Sequence, residues 1–324
     1  MQIQNEFGEY ISSLNNYIKD MLNNKNEKIY DLFKSTFSRG KGIRGVLSLL
    51  SCEAVCDDWK KALPVATAFE FGHEASLVQD DIIDKSEERR GAPSMQMKYG
   101  IEKSILASDA LIFDMFDILE KGYHNEIFFP SLIQSVTACG KNAAEGEYLD
   151  LIYSERDILD VSKEEYLNMI KLRTGSLISS ATECGGIVGN GSKEQCDYLK
   201  DFGKNIGIAY QIEDDILDCF GEKTGKPLFQ DLKNNRKNIF TVFVAEQCEE
   251  KDKNHFNEIV KKSMDGYEIK DVQRFLTETK TLDCAKQLSQ DFIQKARENM
   301  GKLDKNAGTE KILRFTEYLV GRTS

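Results

Sequence analysis

The chain has 324 residues, 40% of them hydrophobic and only 4 of them proline, with no Ser/Gly/Pro-rich linker. That is enough apolar material for one large core, and it predicts a single domain over 1–324. A formal net charge of -11 and a pI near 5.0 argue against a broad basic surface for nucleic acid. The 8 cysteines lack any Cys-x-x-Cys spacing, and no apolar run approaches the roughly 18 residues of a membrane span. The expectation is a cytoplasmic protein with reduced thiols, no signal peptide and no stable membrane insertion.

Taken in chain order, Phe7, Ile11, Leu14, Ile18 and Leu22 recur every three or four residues and predict helix within 1–36. Asn23-Asn24-Lys25-Asn26 breaks that pattern. Arg39-Gly40-Lys41-Gly42 reads as a turn into an apolar helix over 46–55. Pro64 suits the first turn of a helix that runs through His73 to Asp84. The segment 87–93 reads as a loop, because Gly91 and Pro93 end any helix. Helices are expected over 105–119, 130–150, 163–184, 194–218 and 239–248, with a second polar loop over 221–227 and polar-faced helices to the end. No stretch alternates with period two, so the predicted class is all-α, a helical bundle.

Two copies of one acidic pentad stand out: Asp80-Asp81-Ile82-Ile83-Asp84 and Asp214-Asp215-Ile216-Leu217-Asp218. On a helix, Asp80 sits over Asp84 and Asp214 over Asp218, and like charges at that spacing repel by a few tenths of a kcal/mol. Leu77 and Val78 precede the first pentad and Ile208 and Ile212 the second, so the acids sit on otherwise apolar helices and need a reason. Hard oxygen donors that do not form a full cage suit Mg²⁺ shared with a phosphorylated substrate. If the two helices pack together, magnesium could clamp a diphosphate and make it a leaving group. The local cations Lys41, Arg44, Arg89, Arg90, Arg173, Lys226 and Arg236 suit a small anionic ligand. No nucleophilic triad or Walker-type loop occurs, and His73, His124 and His255 have no recognised metal spacing.

Six ordered motifs make the chain resemble the trans-isoprenyl diphosphate synthases, or polyprenyl synthetases, over nearly its whole length. They are Gly40-Lys41-Gly42-Ile43-Arg44, the lead-in Glu70–Gln79 with the first pentad, Arg89-Arg90-Gly91, the lead-in Gly207–Glu213 with the second pentad, Gly225-Lys226-Pro227, and Asp231-Leu232. The resemblance implies the isoprenoid-synthase bundle with a central active-site cavity, a homodimer, and the use of three Mg²⁺ ions when substrate is bound. It implies head-to-tail condensation of isopentenyl diphosphate with an allylic diphosphate. All six pentad aspartates would be catalytic, with Asp80, Asp84 and Asp214 as direct metal ligands. Lys41, Arg44, His73 and Arg90 would hold isopentenyl diphosphate. Arg89, Arg173, Thr174, Gln211, Lys226 and Arg236 would surround the allylic diphosphate.

Several residues depart from the family pattern. Gly45 and Phe240 replace proline, Gln79 replaces histidine, Glu147 replaces glutamine, Arg173 and Arg236 replace lysine, and Asn238 replaces threonine. Ala75 and Ser76, one turn before the first pentad, are small where short-chain synthases carry an aromatic plug. An open tunnel and a product of C20 or longer follow from that resemblance, with Phe113, Met115 or Phe116 as the alternative floor. The rival readings are a class I terpene cyclase, which does not need the isopentenyl diphosphate holders, and a non-catalytic subunit of a heteromeric synthase, which typically loses a pentad.

Overall fold

A computed structural model describes residues 6–25, 27–33, 37, 40, 42–221, 228–263 and 269–321. Lys41 and Lys226, with Gly225 and Pro227, lie outside the described residues.

The fold is all-α. In chain order come α1 (Gly8–Asn23), α2 (Ile43–Glu53), α3 (Leu63–Ile83), α4 (Met95–Tyr99), α5 (Ile101–Tyr123) and α6 (Phe129–Ser154). Then follow α7 (Lys163–Ile170), α8 (Ser176–Val188), α9 (Lys193–Phe220), α10 (Gln230–Lys233) and α11 (Ile239–Gln247). The last four are α12 (Glu250–Ser263), α13 (Ile269–Glu278), α14 (Thr281–Met300) and α15 (Ala307–Val320). Among the described residues no helix is long and apolar enough to cross a membrane. Two compact units are distinguished: 1–136 with 181–199 and 304–312, and 137–180 with 200–303 and 313–324.

In the first unit, α1 buries Tyr10, Leu14, Ile18 and Leu22, one residue per turn. The helix predicted within 1–36 stops at Asn23, and a separate 3₁₀ turn covers Lys28–Leu32. Helices α3 and α5 run antiparallel in close contact, matching Pro64 with Gly122, Gly72 with Met115 and Ala75 with Ser108. Tyr10 donates to Glu53 at 2.6 Å. Lys311 Nζ reaches Tyr10 at 2.6 Å and Glu53 at 2.7 Å, which ties α1, α2 and the start of α15 together. The predicted loop 87–93 is instead a small hairpin, with Glu88–Arg89 paired antiparallel to Ala92–Pro93. Arg90 and Gly91 have φ of 53° and 71°, as a two-residue primed turn requires.

The second unit has a core built on Tyr166, Phe229, Phe240, Phe256, Val272 and Leu276. Ser162 and Glu165 form a capping box that starts α7. The helix predicted over 163–184 is interrupted by a π turn, Lys171–Gly175, before α8. Asn238 caps α11 through Phe240 N and Thr241 N. This accounts for asparagine at the place of threonine, since both are good caps. Phe240 packs against Phe220 with ring centres 5.7 Å apart.

Candidate active site

In the first unit the phase of α3 divides the first pentad. Asp81 falls in register with buried Glu74 and Val78 and is itself 3% exposed, whereas Asp80 is half-buried and Asp84 exposed. Arg89 donates Nε and Nη2 to Asp81 Oδ1 at 2.9 and 2.5 Å, and Gln96 bonds the Asp81 carbonyl at 2.5 Å. Burial works against the Arg89 charge, but Asp81, Asp80 and Asp84 hold its guanidinium above the usual arginine range. Asp81 therefore anchors the hairpin to α3. Asp80 and Asp84 stand at the C-terminal end of α3, where the helix dipole disfavours negative charge and a bound cation relieves it.

About two to three turns earlier on α3 lie Glu74, His73 and Glu70. Gly45 N donates to Glu70 Oε1 at 2.9 Å, a bond that proline at position 45 could not make. A Cβ there would also come within 2.5 Å of Leu14. Burial raises the Glu70 pKa, opposed by the Gly45 N–H and Arg44. Arg90 Nη1 donates to Glu74 at 3.2 Å. Burial, then Arg44, Arg90 and Arg89, hold His73 well below the usual histidine range. His73 Nδ1 and Arg44 Nε are buried with no hydrogen-bond partner. Buried polar atoms of that kind call for a ligand or water acceptor.

The neutral His73 has a measurable consequence. Below its ordinary pKa of 6.5 the unfolded chain binds a proton that the folded chain refuses. Its contribution to stability therefore falls by about 1.4 kcal/mol per pH unit on the acid side. His73→Gln removes that slope, which urea midpoints at pH 7 and pH 5 would show; parallel slopes would mean an ordinary histidine.

In the second unit the same division recurs on α9. Asp215 is in register with buried Ile208, Ile212 and Cys219, while Asp214 and Asp218 are half-buried. Asp215 accepts from Tyr166 Oη at 2.5 Å, Gln211 Nε2 at 3.0 Å and Ile239 N at 2.9 Å. Burial pushes its carboxyl up to about 7, against the pull of those three donors. Thr174 Oγ1 donates to Gln211 at 2.8 Å, so Thr174, Gln211 and Asp215 form one chain. Asp231 N approaches Asp218 Oδ2 at 3.4 Å. Burial, then Asp218 and Asp215, raise the Asp231 carboxyl well above its usual range.

Arg173 and Thr174 sit on the π turn, a distortion frequent at functional sites. A Cβ on Gly146 would lie 2.3 Å from Arg173 N, and one on Gly207 would lie 2.6 Å from Gly175 Cα. Glycine at both places lets α6 and α9 press onto that turn. Arg173 pairs with Glu147 and Asp150, and buried Arg236 pairs with the same two acids.

These carboxylates fit magnesium. Asp80 with Asp84, and Asp214 with Asp218, are oxygen donors one turn apart, and the second acid of each pentad is held by protein. Among the described residues no three acid, imidazole or thiol groups form a finished cage. Mg²⁺ is usually held by one or two carboxylates with water and substrate phosphates completing the shell.

Ala75 is fully buried, with Ser108 Oγ on its carbonyl at 3.2 Å, and Ser76 is half-buried. Met115 Sδ lies 2.9 Å from where a Gly72 Cβ would be, and Phe116 is half-buried. Phe113 is 74% exposed within one chain.

The sequence profile of the polyprenyl synthetase family matches residues 26–278. The chain belongs to that family. Its members are magnesium-dependent prenyltransferases that join isopentenyl diphosphate to allylic diphosphates. The chain is 34% identical over 285 residues to the short chain isoprenyl diphosphate synthase of Methanothermobacter thermautotrophicus, covering 87% of this chain and 86% of that protein. It is 30% identical over 321 residues to the geranylgeranyl diphosphate synthase of Saccharolobus solfataricus, covering 92% and 95%. The crystal structure of geranylgeranyl pyrophosphate synthetase from Pyrococcus horikoshii superposes with a TM-score of 0.91 at 28% identity, covering 99% of this chain and 100% of that one.

Sequence reasoning missed Tyr166, Asp150, Gln96, and the carboxylates Glu70 and Glu74 as partners of Gly45 and Arg90. Helical phase could have found Glu74, which shares the buried stripe of Val78 and Asp81. Tyr166, Gln96 and Asp150 act through contacts distant in sequence and carry no local signal.

Proposed function

We propose that this chain condenses isopentenyl diphosphate with an allylic diphosphate to give an all-trans polyprenyl diphosphate of C20 or longer. The observation that carries this reading is the cluster of Arg44, His73 and Arg90 on and beside α3, with buried His73 Nδ1 and Arg44 Nε lacking partners. A cyclase has no use for a second diphosphate holder set apart from the acids. The family resemblance assigns Lys41 to the same diphosphate, and isopentenyl diphosphate stays un-ionised because cationic side chains hold it.

Asp80 and Asp84 on α3 and Asp214 on α9 are the proposed magnesium ligands, with Asp218 one turn after Asp214 and three ions in the loaded enzyme. The ion they would hold would neutralise the allylic diphosphate and make it a leaving group. Arg89, Arg173, Thr174, Gln211 and Lys226 orient that diphosphate, with Arg236 behind Arg173. The allylic C–O bond breaks, the isopentenyl double bond attacks the resulting carbon, and a proton leaves to the released diphosphate. Asp81 and Asp215 keep the metal-bearing turns in place from below.

The chain would act as one polyprenyl synthetase domain over 1–324 in the cytoplasm. Exposed Met97, Ile101, Ile105, Leu106 and Phe113 on α4 and α5 favour a homodimer, since large apolar side chains left in water on two successive helices gain from a cover; sedimentation showing a monomer alone would refute that. Incubating the full chain with Mg²⁺, labelled isopentenyl diphosphate and primers of C5, C10 and C15 tests the reaction and the length together. Mainly farnesyl product would overturn the length, and hydrocarbon released from an allylic primer alone would favour a cyclase.

Ala75→Phe is expected to shorten the product by one or more isoprene units, because the buried, side-chain-poor wall gains a ring. The overpacking costs about 1–3 kcal/mol, so the variant is to be assayed well below its unfolding temperature. An unchanged product spectrum places the growing chain elsewhere.

A further inference from the structure

Three departures from the family pattern, Glu147, Arg173 and Arg236, meet in one cluster. The inference they carry rests on the reading above, in which Arg173 faces the allylic diphosphate. Glu147 and Asp150 are three residues apart on α6, so their carboxylates share a face. Arg173 donates Nε to Glu147 Oε2 at 2.7 Å and Nη1 to Asp150 Oδ2 at 2.6 Å. Arg236 donates Nη1 to the same Asp150 oxygen, and reaches Glu147 Oε1 from Nη1 and Nη2 at 3.4 Å each.

Each acid therefore meets both guanidiniums, and Glu147 spends one oxygen on each. Glutamine at 147 would present one oxygen and an amide NH₂, so that one guanidinium would face a donor where it now has an acceptor. Lysine at 173 or 236 would bring a point charge where a planar fork now spans two acids. Exposure separates the two arginines: the Arg173 side chain is 29% accessible and that of Arg236 9%, over an Asp150 side chain at 1%.

We propose that Glu147 is a positioning residue that yokes Arg173 to Arg236, so that Arg173 touches the allylic diphosphate and Arg236 acts only through it. The two arginines thus act with Glu147 and Asp150 as one coupled, four-group unit. The bonds within it set the angle at which the Arg173 fork meets the substrate.

The test is steady-state kinetics on the full chain with Mg²⁺, varying geranyl diphosphate and isopentenyl diphosphate separately, for E147Q, R173K, R236K and their pairs. Glu147→Gln is expected to raise KM for geranyl diphosphate by about tenfold with KM for isopentenyl diphosphate within about twofold. R173K and R236K are each expected to cost about as much, and any pair no more than about threefold beyond a single variant, because contacting residues couple. Multiplicative penalties, or an unchanged geranyl diphosphate KM in E147Q, would overturn the yoke. If E147Q does not fold, the R173K and R236K pair decides by the same criterion. A wild-type chain that condenses no allylic primer would refute the synthase reading itself. An active wild type with independent variants refutes only the positioning role.

Discussion

Alanine at Asp80 or Asp84 is expected to slow chain elongation by about 10³-fold or more, on the order of 4 kcal/mol of barrier, with the urea midpoint unchanged or slightly raised. The two side chains are half-buried and exposed at the end of α3. Removing one relieves a like-charge pair at i,i+4 and an unfavourable charge at a helix C-terminus, each worth a few tenths of a kcal/mol, which offsets the loss of its attraction to Arg89. The loss should appear in labelled isopentenyl diphosphate incorporation at saturating substrate. A variant that keeps more than about a tenth of the wild-type rate would show that these carboxylates do not carry the metal.

Asp215→Ala is expected to do the reverse. The hydroxyl of Tyr166, the amide of Gln211 and the N–H of Ile239 all lose their acceptor at a buried point. Each stranded buried donor costs about 1–3 kcal/mol, so a fall of about 3–5 kcal/mol in unfolding free energy follows, allowing for partial relaxation. Asp215→Asn keeps one acceptor oxygen and should lose much less. Denaturant melts of the two variants check this, and an alanine variant as stable as wild type would mean that water replaces the carboxylate. The pair of experiments separates acids of one pentad type by what they do: some hold ligand and others hold the chain.

That separation is where sequence reading reached its limit. The pentads were visible because carboxylates at i and i+4 on apolar helices are costly without a cation, and the helices that bear them run close to their predicted spans. Which acid is buried depends on the rotation of the helix about its axis. The stripe Glu74, Val78, Asp81 and the stripe Ile208, Ile212, Asp215, Cys219 encode that rotation, but only a decision about which stripe faces the core reads it out. Gly45, Asn238 and Glu147 looked like isolated departures. Gly45 and Glu147 are explained by partners far away in the chain, Glu70 and Arg236, whereas Asn238 is explained by the Phe240 and Thr241 N–H groups of the helix it caps. The hairpin at 88–93 escaped notice because two-residue strands are too short to show alternation. The π turn escaped because one extra residue inside a continuous helical pattern changes no apolar spacing strongly enough to register.

That extra residue has a consequence for how the chain tolerates length change. Deleting one position within Lys171–Gly175 would leave a smooth α-helix from Lys163 to Val188 with good hydrogen bonds throughout. It would also rotate everything upstream by about 100° relative to everything downstream. Tyr166 would swing off its aspartate while Ser176 and its successors stayed put. Insertions and deletions here should therefore be poorly tolerated even when every side chain is retained, since the spare backbone unit acts as a phase shifter joining two otherwise incompatible helical frames.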